Sequence, residues 1–385
     1  MRVLMLSPEY PPVVVGGIAT HTAHLVAALA AEGACEVTLL TSRGARDLAA
    51  EQRDGAITVL RPPIDLRTRS PAARMLRENI AWSKCAVELC RRVAFDVIHC
   101  QGWIPGLAAA HLAALTDLPL VTTFHSTERA VLKHRWNLPE ADPESNGIVW
   151  EDELLHLSRQ IIAVSQALAD EVRSLYRCKR PLTVVHNGIT APGPTPAPRE
   201  PRAVRRLLFV GRVMPHKGLE WMIEGLALAR ELPFELEIIG RDWGVPGFQA
   251  HLIELAGRLG IGERVRFVGF VAPEALADRY RDADAVLVPS LYEPFGLVCL
   301  EAMRHGVPLV ASRCGGIVEI ADDDTAELVE PGNAPALAAA VQRVFAQPAE
   351  TALRVARARE VAATRFCWDR IARDTLEVYR RACVR

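Results

Sequence analysis

Short β-branched runs alternate with longer alanine- and leucine-rich stretches along most of the chain. In the first half, Val3–Leu6, Val37–Thr41, Ile57–Leu60, Val97–Cys100, Leu120–Phe124, Ile161–Val164 and Leu182–Val185 read as strands. Helical patterns such as Ala19–Ala31 and Ala167–Tyr176 lie between them. Strand–helix alternation of this kind predicts a parallel sheet covered on both faces. It stops at residues 191–201, where five of eleven residues are proline. Such a segment cannot join a ladder and favours extended, semi-rigid backbone. The alternation then restarts, with strands expected at Leu207–Val210, Leu236–Ile239, Val265–Val268, Val286–Pro289 and Leu309–Ala311. From Ala334 to Arg385 the pattern is helical, with breaks near Pro348 and Phe366.

These elements predict an α/β chain of two Rossmann-like, doubly wound domains facing a central cleft. The expected bounds are 1–190 for the first domain, 191–202 for a proline linker and 203–365 for the second domain. Residues 366–385 read as a helix packing back on the first domain. A length of 385 residues agrees, because one core rarely organises so long a chain. In doubly wound sheets, ligands collect outside the carboxyl ends of the strands, so the cleft is the expected site.

Composition narrows the partners. The net charge of −1 gives no global field for nucleic acid. The longest apolar stretch, residues 104–124, holds His111, Asp117 and Pro119 and reads as a helix and a strand, not a membrane span. Peripheral membrane contact stays open, and oligomeric state is not legible. The first apolar run meets Pro8-Glu9-Tyr10-Pro11-Pro12 too early for a secretory signal. Nine cysteines without a C-x-x-C pair suggest neither a disulfide framework nor a zinc site, and fit a reducing cytoplasm. Lysine is rare: only Lys84, Lys133, Lys179 and Lys217 stand among 45 basic residues.

The chemistry concentrates in a few loops. Ser290-Leu291-Tyr292-Glu293-Pro294-Phe295-Gly296-Leu297 follows an expected strand and opens a helix near Phe295, which carries Glu301 in its second turn. The amides of Phe295, Gly296 and Leu297 would then form an anion cradle at a helix start, with Gly296 allowing close approach. Arg212 and Lys217 bracket a tight loop, Gly211-Arg212-Val213-Met214-Pro215-His216-Lys217-Gly218, and two cations there can neutralise a leaving diphosphate. Gly16-Gly17 precede a helix, a second phosphate approach, but their spacing is not the dinucleotide pattern. His125 ends the strand Leu120–Phe124, Asn187-Gly188 follows Leu182–Val185, and Arg241 lies in Gly240-Arg241-Asp242-Trp243-Gly244. The run Asp322-Asp323-Asp324 reads as a solvated loop, not a metal site.

The two carboxylates Glu293 and Glu301, seven residues between them and Pro-Phe-Gly after the first, resemble the signature of family-4 retaining glycosyltransferases of the GT-B fold. The Arg212–Lys217 loop, the glycine pair, His125 and Asn187 occur in the same order as that family's marks, so the resemblance spans nearly the whole chain. It implies a hexosyl transferase that takes a sugar from a nucleotide diphosphate, UDP being the commonest carrier, with retained configuration and no metal or other cofactor. Glu293 would then lie near the donor sugar and Glu301 on the ribose. Arg212 and Lys217 would hold the phosphates, joined by Gly16 and Gly17, and His125 would contact the sugar. Asn187 and Arg241 are further donor contacts. The loop at Gly240 departs from the family's commoner Gly-Asp-Gly-Pro, which leaves the preferred base open. The family's front-face mechanism, in which the leaving phosphate takes the acceptor's proton, comes with the resemblance alone.

The resemblance implies that 1–190 is the acceptor-binding domain and 203–365 the nucleotide-sugar-binding domain, with a small molecule, lipid or saccharide as the expected acceptor. Acidic residues after His125, namely Glu128, Glu140, Asp142, Glu144, Glu151, Asp152 and Glu153, read first as solvated helix and loop charge and, as a second reading, as a site for an aminocyclitol or other secondary-metabolite acceptor. Two alternatives remain: a nucleotide-sugar-binding protein without transferase activity, and a nucleotide-sugar epimerase of similar architecture.

Overall fold

The computed structural model describes residues 1–385 except 45–47, 65–69, 134–145, 194–201, 243–244 and 385. Most of the expected proline linker therefore lies outside the described residues. Two compact units result. The first takes the chain up to Ala130, the stretch from the helix at Asn146 to Gly188, and the chain from Trp368 on. The second takes Ile189–Cys367 and, among the described residues, Val131–Lys133.

The first unit is built in the order β1 (Arg2–Ser7), α1 (Gly17–Ala31), β2 (Glu36–Thr41), β3 (Glu51–Asp54), β4 (Ile57–Leu60), α2 (Pro71–Cys90), β5 (Val97–Gln101) and α3 (Gly106–Thr116). It continues with β6 (Leu120–Phe124), α4 (Glu128–Leu132), α5 (Asn146–Leu157), β7 (Gln160–Ala163), α6 (Gln166–Tyr176) and β8 (Leu182–Val184). Its eight-stranded sheet runs β3-β4-β2-β1-β5-β6-β7-β8. All neighbours are parallel except β3 and β4, a hairpin that the sequence reading did not include. The exposed polar run Glu51–Asp54 carries no apolar alternation, so its pairing comes from the neighbouring strand. Strands β5 and β6 are buried at every position, as a sheet covered on both faces requires.

The second unit contributes β9 (Arg205–Val210), α7 (Leu219–Leu228), β10 (Phe234–Ile239), α8 (Phe248–Arg258), β11 (Val265–Gly269), α9 (Pro273–Asp282), β12 (Ala285–Val288) and α10 (Leu297–His305). It then adds β13 (Leu309–Ser312), α11 (Ile317–Ile320), β14 (Glu327–Val329), α12 (Ala334–Ala346) and α13 (Pro348–Arg365). The six strands are parallel in the order β11-β10-β9-β12-β13-β14.

A last helix, α14 (Trp368–Cys383), belongs to the first unit. Trp368, Ile371, Ala372, Thr375, Leu376, Tyr379 and Ala382 recur every three or four residues and are all buried. They join Val3, Leu25, Leu29, Val121 and Ile162 in one core on the α1 side of the sheet. A second core, with Trp82, Leu112 and Leu154, lies under α2, α3 and α5. Local chemistry sets the helix starts: Ser70, Ser165 and Asn333 each accept a backbone N–H three residues on, and Pro71 occupies the first turn of α2.

Both sheets are doubly wound, so each has a point where the winding reverses: β1/β5 in the first and β9/β12 in the second. Ligands of such sheets bind at the carboxyl ends beside that point. The loops singled out by sequence follow these strands: Gly16-Gly17 after β1, Arg212–Lys217 after β9, and Glu293 after β12.

Candidate active site

In the second unit, backbone contacts fasten the loops after β9 and β12 to each other. The His216 carbonyl accepts from Leu291 N at 2.8 Å and Tyr292 N at 3.2 Å. Gly218, with φ of +71°, sits so close that an added Cβ would fall 1.9 Å from the Pro289 carbonyl oxygen, while Trp221 Nε1 donates to that same oxygen at 2.9 Å. Glycine is the residue that allows both the left-handed turn and the contact. The loop after β10 joins them: Gly211 N bonds Ile239 O, Val213 N bonds Arg241 O, and a Cβ on Gly240 would meet the Gly211 oxygen at 1.7 Å.

On this frame Lys217 Nζ lies 2.7 Å from Glu293 Oε2, with the two side chains only 17% and 13% exposed. Ser290 Oγ donates to the same oxygen at 3.1 Å. The cation expected on the phosphates and the carboxylate expected near the sugar are therefore ion-paired. The Glu293 loop is clamped from behind by Gly315 and Gly316, which the sequence reading missed. Gly316 N donates to Glu293 O at 2.9 Å, and a Cβ on Gly315 would lie 2.0 Å from that oxygen. A glycine pair between a strand and a helix was the available signal.

The helix after Glu293 begins at Leu297 with Gly296 as its cap, two residues later than expected, and its first amides receive no side-chain cap. Phe295 is buried against Phe366. Glu301, half-buried in α10, accepts a hydrogen bond from the Tyr280 hydroxyl at 2.5 Å. Burial pushes the Glu301 carboxyl up, partly offset by that hydroxyl. Arg212 is half-buried at the end of β9, and exposed Arg241 lies 4.7 Å over the Phe270 ring. Burial and the Glu293 carboxylate push the Cys314 thiol up to about 12, so it remains a protonated, inert group. Asp323 and Asp324 pair with Arg313 and Arg357, and Asp322 accepts from Thr325, which accounts for the acidic run without a ligand.

The first unit gathers the remaining residues. Glu9 Oε2 accepts from Val15 N at 2.7 Å and Gly16 N at 2.8 Å, so an internal carboxylate already holds part of the glycine loop ahead of Gly17 and α1. His125 follows β6, its Nε2 2.8 Å from Gln101 Oε1 at the end of β5 and its ring 4.8 Å from that of His21. Burial lowers the His125 ring well below its usual value, helped by His21 and His99, and it lowers His21 to about 4 and His99 to about 3. All three are neutral imidazoles at physiological pH. Asn187 is buried facing His21, outside normal hydrogen-bond geometry at its Oδ1. Gly188 has a packing reason, since a Cβ there would lie 2.5 Å from the Trp368 indole. Sequence reading missed Gln101, His99 and His21, because buried polar residues inside apolar strands look like strand filler.

The acidic stretch after His125 is not a uniform surface. Glu140, Asp142 and Glu144 lie outside the described residues. Glu151 is fully buried, bonded by the Glu128 amide and the Tyr176 hydroxyl, and burial raises it to about 8. Among the described residues no three His, Cys, Asp or Glu converge in a metal-holding group, and no helix is long and apolar enough to cross a membrane.

Two doubly wound sheets, one in each unit, are the architecture of the GT-B glycosyltransferases. Residues 15–191 match the family described as Glycosyltransferase Family 4, and residues 204–347 match Glycosyl transferases group 1. A glycogen synthase of Mycobacterium tuberculosis is 33% identical over 98% of this chain and 94% of its own length. A D-inositol 3-phosphate glycosyltransferase of Xylanimonas cellulosilytica is 32% identical over 76% of this chain and 73% of its own. Among solved structures, a sucrose-phosphate synthase from Thermosynechococcus elongatus superposes with a TM-score of 0.84 at 25% identity, covering 98% of both chains. The chain belongs to the family-4 glycosyltransferases.

Proposed function

We propose that this glycosyltransferase moves a hexose from a nucleoside diphosphate, UDP first among the candidates, to a saccharide or cyclitol acceptor, retaining the anomeric configuration and using no metal. The observation that carries the reading is the joined pair of loops at β9/β12, which sets Lys217 against Glu293 just ahead of the start of α10. Bond cleavage builds negative charge on the diphosphate, and fixed cations beside a helix N-terminus are what such charge requires. In this reading Arg212, Lys217 and the amides of Phe295, Gly296 and Leu297 hold the diphosphate. Glu293 then exchanges Lys217 for sugar hydroxyls, Glu301 takes the ribose, and Arg241 lies beside the base. Gly16, Gly17, Asn187 and His125 of the first unit are assigned to the donor, with His125 facing the sugar. The polyhydroxy acceptors named for the relatives support a saccharide or cyclitol; buried, bonded Glu151 offers nothing to an amine, which weighs against an aminocyclitol.

Thermal-shift titration with UDP, GDP, ADP and their sugars should raise the melting temperature for one base above the others. Nucleotide release with glucans and inositol phosphates, in chelator, should then proceed only when an acceptor is present. Strict dependence on added magnesium or manganese would overturn metal independence, and conversion of donor without acceptor would favour an epimerase. An inverted product anomer by NMR would refute retention.

A further inference from the structure

Behind His125 a row of buried polar side chains crosses the first sheet. Tyr379 on α14, 280 positions from its partner in sequence, places its hydroxyl 2.6 Å from His99 Nδ1. His99 Nε2 lies 2.7 Å from Thr123 Oγ1 and 3.4 Å from Gln101 Nε2. Gln101 Oε1 then meets His125 Nε2 at 2.8 Å. Tyr379, His99 and Gln101 have no exposure and Thr123 only 1%, so no water can substitute for a member of the row.

A carboxamide donates from nitrogen and accepts at oxygen, and a neutral imidazole does one of each. Because Gln101 offers nitrogen to His99, His99 Nε2 carries the lone pair. In that arrangement the His99 proton would be on Nδ1, directed at the Tyr379 oxygen, with the Thr123 hydroxyl as a second donor to Nε2. Because Gln101 offers oxygen to His125, the His125 proton sits on Nε2, and its lone pair is on Nδ1. We propose that Gln101 is a positioning residue that holds His125 and His99 in opposite tautomers, so that His125 presents Nδ1 as an acceptor for a donor-sugar hydroxyl. This rests on the reading of His125 as the sugar-facing group; the tautomers themselves do not.

Two measurements separate these layers. Long-range proton–nitrogen NMR spectra of the intact protein labelled with 15N-histidine, assigned by single His→Gln substitutions, should show His99 protonated at Nδ1 and His125 at Nε2. The same tautomer at both, or a proton on His125 Nδ1, overturns the proposal. Gln101→Glu keeps the acceptor but loses the donor, so His125 should be unchanged and His99 should switch to Nε2–H; an unswitched His99 counts against the row. In kinetics, Gln101→Leu should raise the KM for the nucleotide sugar about tenfold, the scale of one hydrogen bond, with a smaller change in kcat. A folded Gln101→Leu protein with unaltered KM removes the positioning role. If that variant does not fold, the wild-type spectra decide. Unaltered KM in His125→Asn, with the tautomers as stated, would instead remove the sugar-facing reading and leave the row intact.

Discussion

With 75 residues between them in the chain, Lys217 and Glu293 are brought to 2.7 Å by the folded loops after β9 and β12. Removing Lys217 strands a largely buried carboxylate, and such losses cost about 1–3 kcal/mol. Lys217→Met should therefore lower the melting temperature as well as turnover, by roughly 2–4 °C per kcal/mol for a unit of this size. Adding Glu293→Gln relieves the stranded charge, so the double variant should regain most of the melting temperature while staying catalytically poor. Differential scanning calorimetry beside nucleotide release tests this. If the double variant melts no higher than Lys217→Met, the pair is not what holds these side chains. The pair also marks the limit of legibility at this scale, because each residue was recognisable in the sequence and their contact was not. Residues in distinctive loops, such as Arg212 and Gly296, stand out; the groups that orient them, such as Gly315, Tyr280 and Gln101, are ordinary residues whose role depends on three-dimensional neighbours.

Strands were read from sequence closely, because β1, β5, β6 and β12 are apolar runs buried on both faces. The edge hairpin β3 escaped because solvent-exposed polar strands lack that signal. Elements also carry a pH response. Glu151 ties the start of α4 to the end of α6 through the Glu128 amide and the Tyr176 hydroxyl, and it is raised from 4.5 to about 8. A carboxyl raised in the fold stabilises the protein below its ordinary value and loses that contribution as pH climbs to about 8. His21 and His99 are lowered, so they weaken the fold only as pH drops below 6.5. Between pH 6.5 and 8, then, Glu151 dominates this set, with a slope of at most about 1.4 kcal/mol per pH unit. Glu151→Gln should flatten the decline in stability across that range in urea titrations, whatever its stability at one pH. An unchanged slope would mean that Glu151 is ionised in the native protein.

At the scale of the whole chain, the two units are not equivalent in connectivity. The second consists mainly of Ile189–Cys367, with Val131–Lys133 beside it among the described residues, and the ends of its long segment are stitched to each other by a hydrogen bond from Ile189 N to Phe366 O at 2.7 Å. The first is interrupted: it needs α14, whose Ile371, Leu376, Val378 and Tyr379 are buried in its core. At about 1.5–3 kcal/mol for each such side chain, their loss matches the whole stability of a typical domain, about 5–15 kcal/mol. Residues 1–188 alone should therefore fail to melt cooperatively. The position of Gly188 beside the Trp368 ring shows that the two segments meet where the chain leaves and re-enters the unit. A polypeptide joining 1–188 to 368–385 through a short glycine–serine linker should regain a cooperative transition by circular dichroism, because the linker spans little distance and costs little closure entropy. The polypeptide 189–367 should fold unaided and bind the nucleoside diphosphate found by thermal shift, since Arg212, Lys217, Glu293 and Glu301 are all within it. If 189–367 folds but binds no nucleotide, the loops at β9/β12 do not suffice for the diphosphate, and the assignment of the donor to this unit falls with them.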